Sequence, residues 1–245
     1  MLHVPPGGNP TAPGLPMPYA MRVRQSPLVA LGTLDSQNRP WTTIWGGERG
    51  FAGPVAQGVL GFNSAVDMRH DPVFEALWTN TDDDGIVRPN DGQGKMMSAL
   101  AIDLETRDRV KLAGVMVAGA VVKHDDDDDK ESAGDVQAAM VVTESLGNCP
   151  KYLNKKDVVK HDPEEAELVS DTLPLPREAL DLLYKADMIF LSSTNGETMD
   201  TNHRGGSPGF VRVVKNEGQT VELVYPECKL SCLFSPVEIR RVVFG

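Results

Sequence analysis

The stretch Asn202-His203-Arg204-Gly205-Gly206 holds the residue types best suited to binding chemistry. A guanidinium fork donates two parallel, charge-assisted hydrogen bonds and so matches a phosphate. Glycine amides beside it add donors. The same arginine could also close a surface ion pair in an acidic chain. Strand alternation puts Asn202 and Arg204 on one face and turns His203 to the other. Lys151, in the polar turn Gly147-Asn148-Cys149-Pro150-Lys151-Tyr152, is a second candidate cation. Lys111 is a third, although a lysine inside an apolar strand commonly snorkels. Thr42 and Thr43 offer hydroxyls. Trp41 and Trp45 offer flat faces that suit either a bound ring or a core. Cys149 lacks a placed base, so it is not read as a nucleophile. Cys228 and Cys232 lie four apart with no histidine after them, so ordinary thiols are expected and no metal. No Ser/His/Asp set and no pair of catalytic carboxylates stands out.

The elements that position these residues read as strands. Leu28 to Leu34 is apolar and small, Asp35-Ser36-Gln37-Asn38 supplies turn chemistry, and Trp41 to Trp45 returns. Val59 to Phe62 is a short strand. Asp71-Pro72 opens a helix through Trp78, with Asp as N-cap and Pro at the first helical position. Residues 79–94 form a loop. Met97 to Leu104 and Arg109 to Lys123 are two long strands, the second expected to be buried on both faces. The acidic run Asp125 to Asp129 is a solvated loop, and Val136 to Thr143 returns as a strand. Pro174 and Pro176 open a helix to Lys185, with Ala179, Leu182, Leu183 and Ala186 on one face. Met188 to Ser193 and Met199 to Arg204 pair around Asn195-Gly196. Phe210 to Val214 and Thr220 to Tyr225 flank a hairpin turn.

Two stretches of the chain resemble each other. Gly46-Gly47-Glu48-Arg49-Gly50-Phe51 matches Gly205-Gly206-Ser207-Pro208-Gly209-Phe210, 159 residues later. Without a gap, Leu31 meets Phe190, Thr33 meets Ser192, Ser36 meets Asn195, Thr42 meets Thr201 and Val55 meets Val214. Such spacing predicts a duplicated unit. The second copy is shorter, so either a partner chain supplies its last strands or the C-terminus is a truncated or misread version. The organisation expected is an extended N-terminal arm over 1–26, a barrel over 27–154 and a linker over 155–173. A partial second barrel over 174–226 and an irregular tail over 227–245 complete it.

Bulk properties set limits. A chain of 245 residues with 40% hydrophobic and 24% charged residues can bury a core. Its formal charge of −11 repels nucleic-acid backbones. Three cysteines form no disulfide framework, which suits a reducing, cytoplasmic setting. No apolar run approaches the ~20 residues of a membrane helix. No Gly-rich turn joins a strand to a long helix, which rejects Rossmann and P-loop readings.

Pro40-Trp41-Thr42-Thr43, the Gly-Gly-x-x-Gly-Phe turns, Asn148-Cys149-Pro150-Lys151-Tyr152 and Asn202 to Phe210 together resemble the signature stretches of the pyridoxamine 5′-phosphate oxidase-like, flavin-nucleotide-binding family. The resemblance spans roughly Pro27 to Tyr225. It implies a mainly β (α+β) chain: a six-stranded split β-barrel with short helices, followed by a partial second split-barrel repeat. It implies FMN, with FAD or another flavin-like cofactor as alternatives, at a surface between two barrels. On that resemblance Arg204, Asn202, Gly205, Gly206, Trp41, Thr42, Thr43 and Lys151 are the expected cofactor contacts. An FMN-dependent oxidoreductase acting on a small molecule is implied, with a flavin carrier or an inactive truncated form as alternatives. The basic C-terminal segment of true pyridoxamine-phosphate oxidases has no counterpart beyond Arg240-Arg241, so oxidation of vitamin B6 is not expected. Exposed edges of an incomplete barrel suggest a homodimer.

Overall fold

The computed structural model describes residues 11–79, 85–87, 94–123, 133–147, 152–159, 167–227 and 238–244. Its first unit is one antiparallel sheet that curls into a split barrel. The strands are β1 (Ala12–Pro13), β2 (Leu28–Leu34), β3 (Pro40–Gly46), β4 (Ala52–Ala56), β5 (Val59–Asp67), β6 (Lys95–Asp103), β7 (Asp108–Lys123) and β8 (Ala133–Gly147). Six of them run in the order β3-β2-β6-β7-β8-β5, with β4 beyond β5 and β1 on β8. The ends β3 and β5 meet without a ladder; the Ser64 hydroxyl donates to the Gly46 carbonyl at 2.7 Å across the seam. Leu31, Leu60, Met97 and Met140 are fully buried inside. Each such side chain contributes about 1.5–3 kcal/mol by leaving water.

The hairpin expected from Leu28 to Trp45 is present, as is the helix opened by Asp71, α2 (Pro72–Trp78). The strand expected over Arg109 to Lys123 is buried on both faces only in part: Ala118 and Val122 are exposed. Its outward residues are small, and nothing among the described residues covers that end. Among the described residues, no helix is long and apolar enough to cross a membrane.

Two expectations fail. The N-terminal segment is not simply an extended arm, because residues Met17–Gln25 form helix α1. Its Pro-rich start disguises it, yet Ala20 and Val23 recur at helical spacing and are buried. The C-terminal segment is not simply irregular either. Strand β13 (Glu238–Phe244) pairs antiparallel with β12 (Thr220–Glu227) along its length. Pairing to a formed neighbour, rather than local pattern, makes it a strand.

An ion pair fixes α1. Arg22 donates through Nε to Asp108 Oδ2 at 2.8 Å and through Nη2 to the Arg109 carbonyl at 2.9 Å. The hydrogen bond from Arg22 holds the Asp108 carboxyl below its ordinary range, against the opposing effect of burial. An unfolded aspartate titrates near about 3.9. A carboxyl whose folded pKa is depressed stabilises the fold above that value, and the contribution fades as pH falls through the folded pKa. Acidification below about pH 4 should therefore destabilise the native protein more than the Arg22→Met variant. Urea unfolding at neutral and acid pH measures this, and equal losses in both proteins would refute it.

The second unit comprises α3 (Arg177–Lys185), β9 (Met188–Thr194), β10 (Met199–Gly205), β11 (Arg212–Glu217), β12 and β13. Its hairpin and glycine turn carry the same hydrogen bonds as the first unit. Gly47 N–H donates to Pro27 O at 3.1 Å and Phe51 N–H to Glu48 O at 2.9 Å; Gly206 donates to Asp187 O at 2.9 Å and Phe210 to Ser207 O at 3.0 Å. The glycines Gly50 (φ 99°) and Gly209 (φ 72°) take the left-handed conformation that closes each turn. The gapless correspondence needs one correction. Thr42 pairs with Gly32 and Thr201 with Ser192, so the offset is 159 on the return strand and 160 on the first. The difference lies in the loop, five residues over 35–39 against four over 195–198, where a change of length leaves strand register intact.

The second hairpin lies across the outside of β2, β3, β6 and β7. Thr42 Oγ1 donates to Ser192 Oγ at 2.7 Å, and Thr201 Oγ1 sits 2.6 Å from Ser98 Oγ. A Cβ on Gly32 would come within 2.2 Å of Ser192 Oγ and 2.5 Å of Thr201 Oγ1. Thr42 thus meets Ser192 while Thr201 meets Gly32, and the two pairs exchange the equivalent positions of the hairpins. That reciprocity is the signature of a two-fold contact, here within one chain.

Candidate functional site

The seam between β3 and β5 opens into a cleft of about 1130 Å³. One wall is the end of β3 and the whole Gly46-to-Phe51 turn; the other is Asn63 to Asp67, with His70 and Asp71 at the start of α2. Thr43 and Trp45 point to this side because alternate residues of a strand share a face.

Asp71 organises the corner. Its Oδ1 accepts from the Val73 and Phe74 amides, each at 2.9 Å, which caps α2. Its Oδ2 accepts from Thr43 Oγ1 at 2.8 Å and from Trp45 Nε1 at 2.9 Å. Trp45 is 2% exposed, so this carboxylate satisfies a donor cut off from water.

Arg49 projects from the turn. It donates to Asp103 Oδ2 and Glu105 Oε2, both at 3.0 Å, and to the Gln25 carbonyl. The Asp103 hydrogen bond raises its already high pKa, so it stays charged. Burial pushes Asp103 upward, but its bonds from Arg49 and from the Thr106 and Glu105 amides hold it below the ordinary range. His70 Nδ1 lies 3.4 Å from Asp67. The walls also include Ile44, Phe51, Val66, Val158 and Val159, so the cleft pairs apolar surface with charge at its rim. A second, apolar hollow of about 830 Å³ shares Gly50, Phe51 and Asn63 with it and has Arg24 at its margin.

The expected contacts are distributed over several places. Thr43 lines the cleft. Trp41 lies at the start of β3, where its Nε1 donates to Asp35 Oδ2 at 2.9 Å and Arg39 stacks over its ring. Thr42 faces the second hairpin instead. On β10, Thr201 and His203 are buried, while Asn202 and Arg204 occupy the alternate, half-buried face. Asn202 Nδ2 donates to Asp200 Oδ2 at 2.6 Å, and Lys111 reaches the same carboxylate at 2.5 Å. Lys111 is therefore engaged in an ion pair. Arg204 Nη1 donates to the His203 carbonyl at 2.9 Å. His203 itself is buried against Arg109, whose Nη1 donates to the imidazole. Gly205 and Gly206 pack against Tyr152 and Phe210, where a Cβ would approach within 2.6 and 2.7 Å. Lys151, Asn148 and all three cysteines lie outside the described residues.

Sequence reading missed Arg49, His70 and the wider role of Asp71. Asp71 was legible only as a cap. Its second oxygen serves residues 26 and 28 positions away, and no local pattern reports that.

Whether this cleft fits a flavin nucleotide can be asked of its residues. Its volume is ample for one, since small-molecule sites span roughly 300–1000 Å³. The turn uses the Gly47 and Phe51 amides internally. The Arg49 and Gly50 amides have no backbone acceptor among the described residues, and with the Arg49 guanidinium they suit a terminal phosphate. The carboxylates at the rim demand that a ligand's negative charge be confined to one end.

No family model matches the chain. No curated protein matches it either. Solved structures similar to it include a protein of Lactobacillus delbrueckii described as a candidate pyridoxamine 5′-phosphate oxidase, 14% identical over 54% of this chain and 93% of that one, with a TM-score of 0.32. An F420 reductase is 11% identical over 53% and 97%, with a TM-score of 0.33. An FAD- and heme-binding protein of Mycobacterium smegmatis is 12% identical over 70% and 96%, with a TM-score of 0.30.

Proposed function

We propose that this chain binds a flavin nucleotide in the seam cleft of its first barrel, and that its second unit is a partial copy of the first. One observation carries the binding reading. The Gly-Gly-x-x-Gly-Phe turn, part of the sequence that resembles flavin-nucleotide-binding proteins, forms a continuous wall of the seam cleft. The turn amides and Arg49 hold the phosphate end. Thr43 and the apolar side chain of Phe51 hold the ring end.

The accompanying activity is electron or hydride transfer to a small molecule. A bound flavin supplies that redox chemistry through its ring. The residues of this chain orient it and shield it from water. A carrier without turnover is the second reading. It is favoured by the burial of His203 against Arg109, where no ligand in the cleft can exchange a proton with it.

Flavin fluorescence tests the reading directly. Added FMN should be quenched and acquire induced circular dichroism in the visible range. FMN should bind at least about tenfold more tightly than riboflavin, the scale of one charge-assisted phosphate contact. Arg49→Met should abolish that preference. Protein that leaves FMN and FAD unperturbed refutes binding, and equal affinities for FMN and riboflavin refute the phosphate assignment. Reduction of bound flavin by NADH or NADPH separates enzyme from carrier.

A further inference from the structure

The outer face of β4, β5, β8 and β7 is apolar at a place where strand alternation calls for polar residues. Leu60, Phe62, Val136 and Met140 are buried inside the barrel. On the outside, Gly53, Gly61, Ala139 and Ala118 follow one another in register across the four strands. They form the floor of the hollow of about 830 Å³ that lies beside the seam cleft.

The two ends of the hollow differ. At one, Arg24 of α1 reaches over β4. A Cβ on Gly53 would meet Arg24 Cγ at 3.7 Å, so the aliphatic stem lies on the strand and carries the guanidinium to the margin. At the other, Val87 and Gly119 of β7 exchange two backbone hydrogen bonds, at 2.8 and 3.1 Å, and Ile86 beside them is 39% exposed. Four adjacent strands at ~4.8 Å spacing set the ends roughly 14 Å apart. On one flank the carboxamides of Asn63 and Gln137 sit opposite each other across β5 and β8. Arg24 is the one charged residue among the described residues that line the hollow. Arg22, on the same helix, is paired with Asp108. Arg24 is exposed and has no ion pair among the described residues.

We infer that this hollow is a second ligand site, for an extended apolar molecule that ends in one carboxylate. Its volume lies within the range of small-molecule sites, and an apolar surface with a few convergent polar groups is the usual make-up of one. The guanidinium fork accepts a carboxylate through two parallel, charge-assisted hydrogen bonds. It repels a ligand that ends in an amine. The small floor residues let an apolar body lie against the sheet, and Ile86 and Val87 cover its far end. A ligand with charge along its body is disfavoured, because the floor offers that charge no partner. The inference does not rest on flavin binding. The hollow lies outside the seam cleft and shares only Gly50, Phe51 and Asn63 with it.

Calorimetric titration of octanoate into the full chain, without added flavin, tests this. Octanoate should bind saturably with a Kd below about 1 mM, and octylammonium should not. Arg24→Met keeps the stem on Gly53 and removes the charge. It should weaken octanoate by at least about tenfold, the scale of one charge-assisted contact, and leave the affinity for 1-octanol unchanged. Ala118→Leu fills the floor from an exposed position and should abolish binding of both. Neither substitution touches the core, so both variants should keep the native unfolding midpoint in urea. Three results overturn the inference. One is native protein that does not bind octanoate in that range, or that binds octylammonium as well. Another is octanoate binding that survives Ala118→Leu. The third is an Arg24→Met protein whose octanoate affinity is native, or falls no further than its affinity for 1-octanol.

Discussion

Asp71→Ala is expected to destabilise the protein by about 3 kcal/mol. Two costs combine. Removing an N-cap costs about 1 kcal/mol, because the Val73 and Phe74 amides lose their acceptor. Taking the acceptor from the buried Trp45 Nε1 costs about a further 1–3 kcal/mol. Asp71→Asn should fall between. Asparagine caps a helix well, but its amide group then faces the donors Thr43 Oγ1 and Trp45 Nε1. Urea denaturation measures both losses. Equal losses for the two variants would show that the cap contributes nothing. The same corner holds Thr43, so ligand affinity in the cleft should fall with stability. If affinity is retained in a folded Asp71→Asn protein, Thr43 takes no part in binding.

Gly32→Ser should loosen the second hairpin, and Ser192→Gly should repair it. A Cβ at position 32 would lie 2.9 Å from Ser192 Cβ, closer than real side-chain atoms approach. Strand β2 is held by ladders on both sides and cannot move, so the hairpin must. Overpacking of this kind costs about 1–3 kcal/mol. Ser192→Gly alone loses hydrogen bonds with Thr42 and Thr201. Because Gly32 and Ser192 occupy equivalent positions, the double change exchanges the roles of the two threonines. The pair should therefore be non-additive, with a favourable coupling of about 1–2 kcal/mol. Hydrogen exchange over residues 188–205 locates the effect, and unchanged protection of β6 and β7 shows that the barrel persists. Simple additivity of the two losses would deny the pseudo-two-fold relation.

How much was legible in advance depends on the range of the interaction. The hairpin of β2 and β3, the Asp71-Pro72 helix start and the Asn195 turn all rest on contacts within a few residues. They were readable for that reason. The Asn195 carboxamide, for example, accepts from the Glu197 and Thr198 amides, two and three positions on. Helix α1 was hidden because its start is Pro-rich and its stabilising partner, Asp108, is 86 residues away. The one-residue slip between the two matching stretches was hidden because a matching motif fixes only its own strand. Cross-strand pairing is needed to place the other.

The expected phosphate contacts show the same division. The residue types of Arg204, Gly205 and Gly206 suit an anion, but type does not say which surface they reach. The Gly46-to-Phe51 turn reaches the cleft because the barrel seam opens beside it. Its counterpart in the second unit packs instead against Tyr152 and Asp187. By itself the sequence determined a strand-rich chain, a duplicated glycine turn, the helix caps and the absence of a Rossmann or P-loop motif, all of them matters of local conformation and periodicity. Only the tertiary structure decided that Asp71 joins Thr43, Trp45 and α2, and that His203 is buried on Arg109. These depend on which distant segments meet as the sheet curls, and burial and pairing between strands settle that without leaving a mark at any one position of the chain.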